Sequence, residues 1–272
     1  MVTQKITSAE DPKLASKLAT EAIQAVTQEV VSVSEESDIQ LPPDTTVDLP
    51  GGLFDPIDGT TKTAEVRELN GADEEAIAKT SDMGKGLLTI LERATIKLGD
   101  KKPTREDLDS LLAGDREMLL LAIRKVTFGN IVKLGPGACP SCGEEQIFEV
   151  NLTNDVKIKQ LENDERYFAV DCKVGEVKVS LPDGGVQKEI VSSSNKTTAE
   201  LDTILLKGCV SSINGLPVMS VNQIRDLSIN DRRTILNAIS DRNPGPQLSE
   251  VKKNCQACGQ EVPLPLTLAD LF

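Results

Sequence analysis

Asp115-Arg116-Glu117-Met118-Leu119-Leu120-Leu121-Ala122-Ile123 runs on to Cys139-Pro140-Ser141-Cys142-Gly143, and the chain then says much the same again. The second statement is Asp231-Arg232-Arg233-Thr234-Ile235-Leu236-Asn237-Ala238-Ile239, leading to Cys255-Gln256-Ala257-Cys258-Gly259. At a constant offset of 116, nine of the 29 positions from Asp115 to Gly143 are identical, far above chance for an ungapped pairing. Upstream the pairing loosens. Val47-Asp48-Leu49-Pro50-Gly51-Gly52-Leu53 reads against Val179-Ser180-Leu181-Pro182-Asp183-Gly184-Gly185-Val186 at an offset of 132. Val66, Asn70 and Glu75 read against Val191, Asn195 and Glu200 at 125. The expectation is a duplicated unit, roughly 46–153 and 178–272, with a connecting β segment at 154–177.

Each unit reads as strand, Gly-Gly turn, strand-like Val and then helices, an α+β fold with small sheets. Apolar periodicity places helices near 72–80, 84–97, 104–112 and 115–128, then near 198–212, 220–227 and 229–240. Thr104 with Asp107, Thr197 with Glu200, and Ser228 with Asp231 have the spacing of capping boxes, in which each side chain satisfies the other's amide. Gly129 and Asn243-Pro244-Gly245-Pro246 end the last helix of each unit. Each unit closes with a CxxC knuckle and a strand, at 146–152 or 261–268. Between the units, Phe168, Val170, Cys172 and Val174 alternate, as do Val177, Val179 and Leu181, which predicts a hairpin about Gly175.

Residues 1–45 form an acidic block with three Lys and eight acids. Asp11-Pro12 resembles a helix start, and Leu14, Leu18, Ala22, Val26 and Val30 follow every four residues. This amphipathic helix either folds onto its own domain or serves as an arm that docks on a neighbouring subunit.

Composition excludes several functions. The 272 residues include no His, which removes Ser-His-Asp and Cys-His catalysis and every His-ligated metal at once. A net charge of −13 and an aromatic content of 2% leave little for phosphate neutralisation or base stacking. No run approaches the roughly 20 apolar residues of a membrane span, and the N-terminus lacks the apolar core of a secretory signal.

The six Cys therefore read as belonging to a reducing compartment, where paired thiols are metal ligands before they are disulfides. One knuckle supplies two ligands, whereas structural Zn²⁺ wants four in a tetrahedron. With no His to complete either pair, the expected site is one zinc-ribbon-like four-cysteine centre from Cys139, Cys142, Cys255 and Cys258. Its shell is full, so the metal is structural. Two disulfides or a redox-active CxxC are the alternatives. The redox reading is weakened because neither motif follows a strand and opens a helix, where a dipole could lower a thiol pKa.

Other signals read as structure. Cys172 and Cys209 fall on apolar faces as inert thiols. Asp115-Arg116 and Asp231-Arg232 sit at helix starts, where Asp suits the N-terminal dipole. Gly84-Lys85-Gly86 lacks phosphate-loop spacing, and Asp55, Asp58 and Gly59 lack the closing Glu of a carboxylate metal loop. Lys133, Lys252 and Lys253 beside the knuckles keep open a second class of function, a zinc-ribbon nucleic-acid-binding or transcription-associated factor.

Taken in order, Val47-x-Leu49-Pro50-Gly51-Gly52-Leu53, Val66-Arg67-Glu68-Leu69 with Asp73-Glu74-Glu75, and Asp115-Arg116 leading into Cys139-Pro140-Ser141-Cys142 resemble the baseplate protein family of T-even-type contractile-tailed bacteriophages. The resemblance covers roughly residues 46–152, and 231–272 follows the same plan. It implies a hub or hub-assembly component of the virion tail, assembled in the host cytoplasm, whose partners are other baseplate and tail subunits. It further implies no enzymatic activity and no small-molecule substrate. The arm at 12–31 and the segment 264–272 are the expected contact segments.

Overall fold

A computed structural model describes residues 45–55, 59–193 and 195–272, and the helix expected over 12–31 lies outside them. Every described element belongs to one compact unit.

Its first half opens with the antiparallel pair β1 (Thr46–Asp55) and β2 (Gly59–Val66). Two helices follow, α1 (Gly71–Ala78) and α2 (Met83–Ala94), and then β3 (Thr95–Leu98), which pairs with β2 to give the order β1-β2-β3. A short α3 (Arg105–Ser110) and a long α4 (Ala113–Phe128) lead to a hairpin of β4 (Ile131–Ala138) and β5 (Glu145–Asn151). A small strand β6 (Ile158–Lys159) then leads into the second half.

There β7 (Tyr167–Cys172) and β8 (Gly175–Ser180) form the expected hairpin. They are followed by α5 (Gly184–Ser192), α6 (Thr198–Cys209), and β9 (Val210–Ile213), which pairs with β8. The two-residue β10 (Leu216–Pro217) and α7 (Val221–Arg225) precede α8 (Ile229–Arg242). After β11 (Gly245–Pro246), which pairs with β6, the chain ends in a hairpin of β12 (Lys252–Asn254) and β13 (Glu261–Pro263). The architecture is α+β, with several small sheets.

The two halves run through the same order: hairpin, two helices, a third strand on the hairpin, two more helices, and a hairpin with a CxxC at its turn. The registers agree in detail. Val66 pairs with Thr95 and Val179 with Val210, and in each sheet the ladder slips one position earlier.

Several expectations need correction. Val47–Leu53 lies in β1, whereas Val179 ends β8 and Gly184-Gly185 opens α5, so the 132-residue pairing joins unlike elements. Val191 is helical in α5, not the strand-like counterpart of Val66. The helices expected to reach 97 and 212 stop at Ala94 and Cys209. There the C-cap residues Thr95 and Val210 are already the first residues of β3 and β9, and their branched side chains favour the pleated conformation. The strand expected over 261–268 stops at Pro263. The connecting β segment over 154–177 holds β6, β7 and the start of β8, as expected of a β segment.

The core sits around α4. Leu119, Leu120 and Ile123 pack with Val47, Leu49, Val66, Ile90 and Leu91 in the first half. Leu121, on another side of the helix, joins Val132, Val150, Leu152, Leu248, Val251 and Leu266, which come from both halves. Val177, Val179, Leu206, Ile224, Ile235 and Ile239 make the core of the second half. Burying one such side chain stabilises the fold by about 1.5–3 kcal/mol.

The halves also meet backbone to backbone. The Ala113 amide donates to the Pro182 carbonyl at 2.9 Å and the Gly184 amide to the Leu111 carbonyl at 3.0 Å. A Cβ on Gly114 would lie 1.7 Å from the Pro244 carbonyl oxygen, so only glycine permits this approach. From the segment before β7, Arg166 donates to the Gly51 carbonyl at 2.8 Å and to that of Gly52. The two terminal hairpins pack against each other through Phe148 and Val262.

Candidate metal centre

Both knuckles are the turns of hairpins, bounded by the pairs Ala138–Glu145 and Asn254–Glu261. Each therefore follows a strand and leads into another, and neither opens a helix. The turns are closed alike. The Cys139 amide donates to the Glu144 carbonyl at 2.9 Å, and that of Cys255 to Gln260 at 2.8 Å. The Gly143 and Gly259 amides return to the carbonyls of Cys139 and Cys255 at 2.8 and 2.9 Å. Gly143 (φ 77°) and Gly259 (φ 73°) occupy the left-handed region that this tight turn demands.

The structure brings the four sulfurs together. Cys139 Sγ lies 3.8 Å from Cys258 Sγ, and Cys142 Sγ lies 3.8 Å from Cys255 Sγ. All four sulfurs fall within 4.8 Å of one another. Zinc–thiolate bonds of about 2.3 Å in a tetrahedron require sulfur–sulfur edges of about 3.8 Å, the separation found in both of these pairs, so the donor set suits one ion. Disulfide bonding needs sulfurs about 2.05 Å apart, which these are not. The group could hold a metal ion.

Phe148 of β5 and Val262 of β13 form the floor, packed with the buried Cys139 and Cys255. Cys142 and Cys258 face solvent. Across the two turns, the Gln256 amide donates to Gln146 Oε1 at 3.1 Å. No motif marked Phe148, Val262 or Gln146; the alternation over 146–152 was the only signal available.

The thiols divide into two kinds. Amides of Cys142 and Ser141 lower Cys139, and those of Cys258 and Ala257 lower Cys255 to about 6. Cys142 receives the Glu144 amide, which lowers it, yet desolvation and the neighbouring sulfurs of Cys258, Cys139 and Cys255 push it up to about 12. Cys258 receives the Gln260 amide and is likewise raised by desolvation and by Cys255 and Cys139. Four thiolates so close repel one another, and a divalent cation is what would hold all of them ionised.

The remaining candidate residues make hydrogen bonds and packing contacts within the fold. Asp115 Oδ1 accepts the Gly51 amide at 2.7 Å, and Asp231 Oδ1 accepts that of Lys173 at 2.9 Å. Arg116 donates to the Leu108 carbonyl at 2.6 Å, and Arg232 to the Ile224 carbonyl at 3.3 Å, again 116 positions on. Burial raises Asp115 against the pull of the Gly51 and Gly52 amides. Gly84-Lys85-Gly86 lies within α2 and forms no phosphate loop. Asp55 ends β1, while Asp58 lies outside the described residues. Cys209 is buried and pushed up to about 12 by desolvation. Cys172 is half-buried rather than buried, and is raised by desolvation and by Asp231 and Asp171.

Sequence reasoning missed a buried ion-pair cluster. Asp73 is fully buried between Arg67 and Arg93, each 2.6 Å away, and clamps α1 to α2. The lysines beside the knuckles are engaged rather than free: Lys133 with Glu149, Lys252 with Glu261 and Lys253 with Asp155, at 3.1, 3.1 and 2.8 Å.

A family model described as T4 bacteriophage base plate protein matches residues 55–243, well over half of the chain. The chain belongs to that family. The matched span runs from the end of β1 to just past α8 and crosses both halves. It takes in Cys139 and Cys142 and stops before Cys255 and Cys258, so half of the sulfur cluster of this base plate protein lies beyond the match. No curated protein and no solved structure matches the chain. Among the described residues, no helix is long and apolar enough to cross a membrane.

Proposed function

We propose that this base plate family member is a structural or assembly component of the tail hub, acting through protein–protein interfaces with other tail subunits and not as an enzyme. The family match over 55–243 is the observation that carries the reading. A chain without His and with four clustered sulfurs suits a scaffold better than a catalyst. In this reading Cys139, Cys142, Cys255 and Cys258 hold one structural zinc ion. The ion keeps the two terminal hairpins together and supplies no reaction chemistry, because four protein thiolates leave it no open position. The two halves are copies of one unit, 46–151 and 167–263, a reading supported by their common element order and matching registers.

The decisive experiment deletes the gene and images the tails, alongside mass spectrometry of purified particles and hub precursors. The expected result is defective tails, with the protein present in particles or precursors. Normal infectious tails formed without it would defeat the reading. Elemental analysis of the purified protein is expected to find one zinc per chain. Four freely reactive knuckle thiols and no metal would remove the zinc.

A further inference from the structure

We propose that the cleft between α6 and α7 is a docking site for an acidic segment of a neighbouring tail protein that carries apolar side chains. The cleft has a volume of about 400 Å³ and is lined by Ile204, Val218 and Met219 together with Lys196, Lys207 and Arg225. The segment that forms its rim is unusually apolar for solvent: Leu216 is 69% exposed and Met219 84%.

The first half supplies an internal control. There β3 is followed by a backbone bridge from Leu98 to Lys101 and then by the capping box of Thr104 and Asp107 that starts α3. In the second half β9 is followed by the pairing of Ile213 with Leu216 and then by the capping box of Ser220 and Gln223 that starts α7. Between bridge and cap the first half has Lys101-Lys102-Pro103, and the second has Leu216-Pro217-Val218-Met219. One connection does the same structural work with lysines that the other does with exposed aliphatic side chains. The fold therefore does not require Leu216 and Met219, and water opposes them. The rim is also fixed in advance, since Gln223 Oε1 accepts the amides of Met219 and Ser220 at 2.8 and 2.9 Å. A rigid apolar edge loses little entropy on binding.

Charge selects the occupant. In a chain of net charge −13, this cleft gathers three cations. Among the described residues Lys196 and Arg225 have no carboxylate within ion-pair distance, although both act on Glu200 across the cleft, and Lys207 reaches Glu189 only at 3.7 Å. The other acid of the lining, Glu200, is turned to the Thr197 amide and hydroxyl at 2.9 and 2.8 Å. Carboxylates from a partner would complete Lys196 and Arg225 while its apolar side chains covered Met219 and Leu216. Aliphatic lining with no aromatic ring offers nothing for base stacking, which favours a protein segment over nucleic acid.

This proposal rests on the base plate reading, and the test separates the two. The full chain carrying Met219→p-benzoylphenylalanine is expressed during infection, irradiated, and its cross-linked peptides sequenced, with Lys102→p-benzoylphenylalanine as control. The expected product joins position 219 to one Asp- or Glu-bearing peptide of another tail protein, and is absent from the control. Adding Lys196→Glu and Arg225→Glu is expected to cut its yield at least about tenfold. In parallel, Leu216→Lys with Met219→Lys is expected to leave the melting temperature unchanged while reducing incorporation into hub precursors at least about tenfold. A cross-link to nucleic acid, to another copy of this chain or to no partner beyond the control overturns the proposal, as does undiminished incorporation of the lysine variant. Absence of the unaltered protein from particles and precursors would instead defeat the base plate reading itself.

Discussion

Replacing Cys139 or Cys255 by Ser tests whether the two knuckles form one site. The sulfurs of Cys142 and Cys255 meet across 113 positions of chain, and a permanent tie over a loop of that length would stabilise the fold by about 5 kcal/mol. A metal ion is a reversible tie, so its effect follows from mass action. At free zinc 100 times above the dissociation constant, an ion that binds only the folded chain contributes about 2.7 kcal/mol. Either single variant spoils the same four-sulfur shell while keeping the Phe148–Val262 floor, so a loss of about 3 kcal/mol is expected. In a domain of this size that lowers the melting temperature by about 6–12 °C. The diagnostic quantity is additivity. Once one ligand is lost the second has no shell to complete, so the double variant should melt close to either single one. Calorimetry of the four proteins, each with and without a chelator, gives the answer. Losses that add, or a native protein indifferent to the chelator, would show that the knuckles do not share an ion.

Three further outcomes are expected from the structure. Zinc uptake at pH 7.5 should release at least about two protons per ion, from the raised thiols Cys142 and Cys258, measured by titration calorimetry in buffers of different ionisation enthalpy; no release would contradict the division of the thiols. Gly114→Ala should cost about 3 kcal/mol in urea unfolding, because its Cβ must displace the Pro244 backbone, whereas Asn230→Ala, 116 positions on, should stay within about 0.5 kcal/mol. Hydrogen bonding from Arg67 holds the Asp73 carboxyl far below its ordinary range, with the Asn70 amide and Arg93 adding to it. A folded pKa below the unfolded one stabilises above the unfolded value and fades as pH falls through the gap. Asp73→Asn should therefore cost stability at neutral pH, with the deficit shrinking below about pH 4, as followed by denaturant midpoints across pH.

Most of the helices were legible because period and caps agree there, α5 being the exception. Thr104 and Thr197 start helices where their spacing to Asp107 and Glu200 places them. What misled was Gly-Gly. Gly51-Gly52 lies in a strand where backbone amides must reach the Asp115 carboxylate, while Gly184-Gly185 lies at a helix start against Arg116. The same dipeptide meets two different needs, and matching letters pulled the offset from 116 to 132. The strands β3 and β9 escaped because no breaker separates them from the preceding helix: one residue serves as cap and as strand. For the sulfur cluster, spacing identified each pair and the absence of His required the pairs to share. That Phe148 and Val262 would bring the hairpins together was not readable, because contacts between distant segments leave no local trace.

The placement of the four thiols also bears on how the molecule is made. Cys142 and Cys255 are neighbours in space but are translated more than a hundred residues apart, so a nascent or truncated chain carries only a bidentate pair. A four-sulfur set of donors therefore exists only once the second hairpin has emerged and folded against the first.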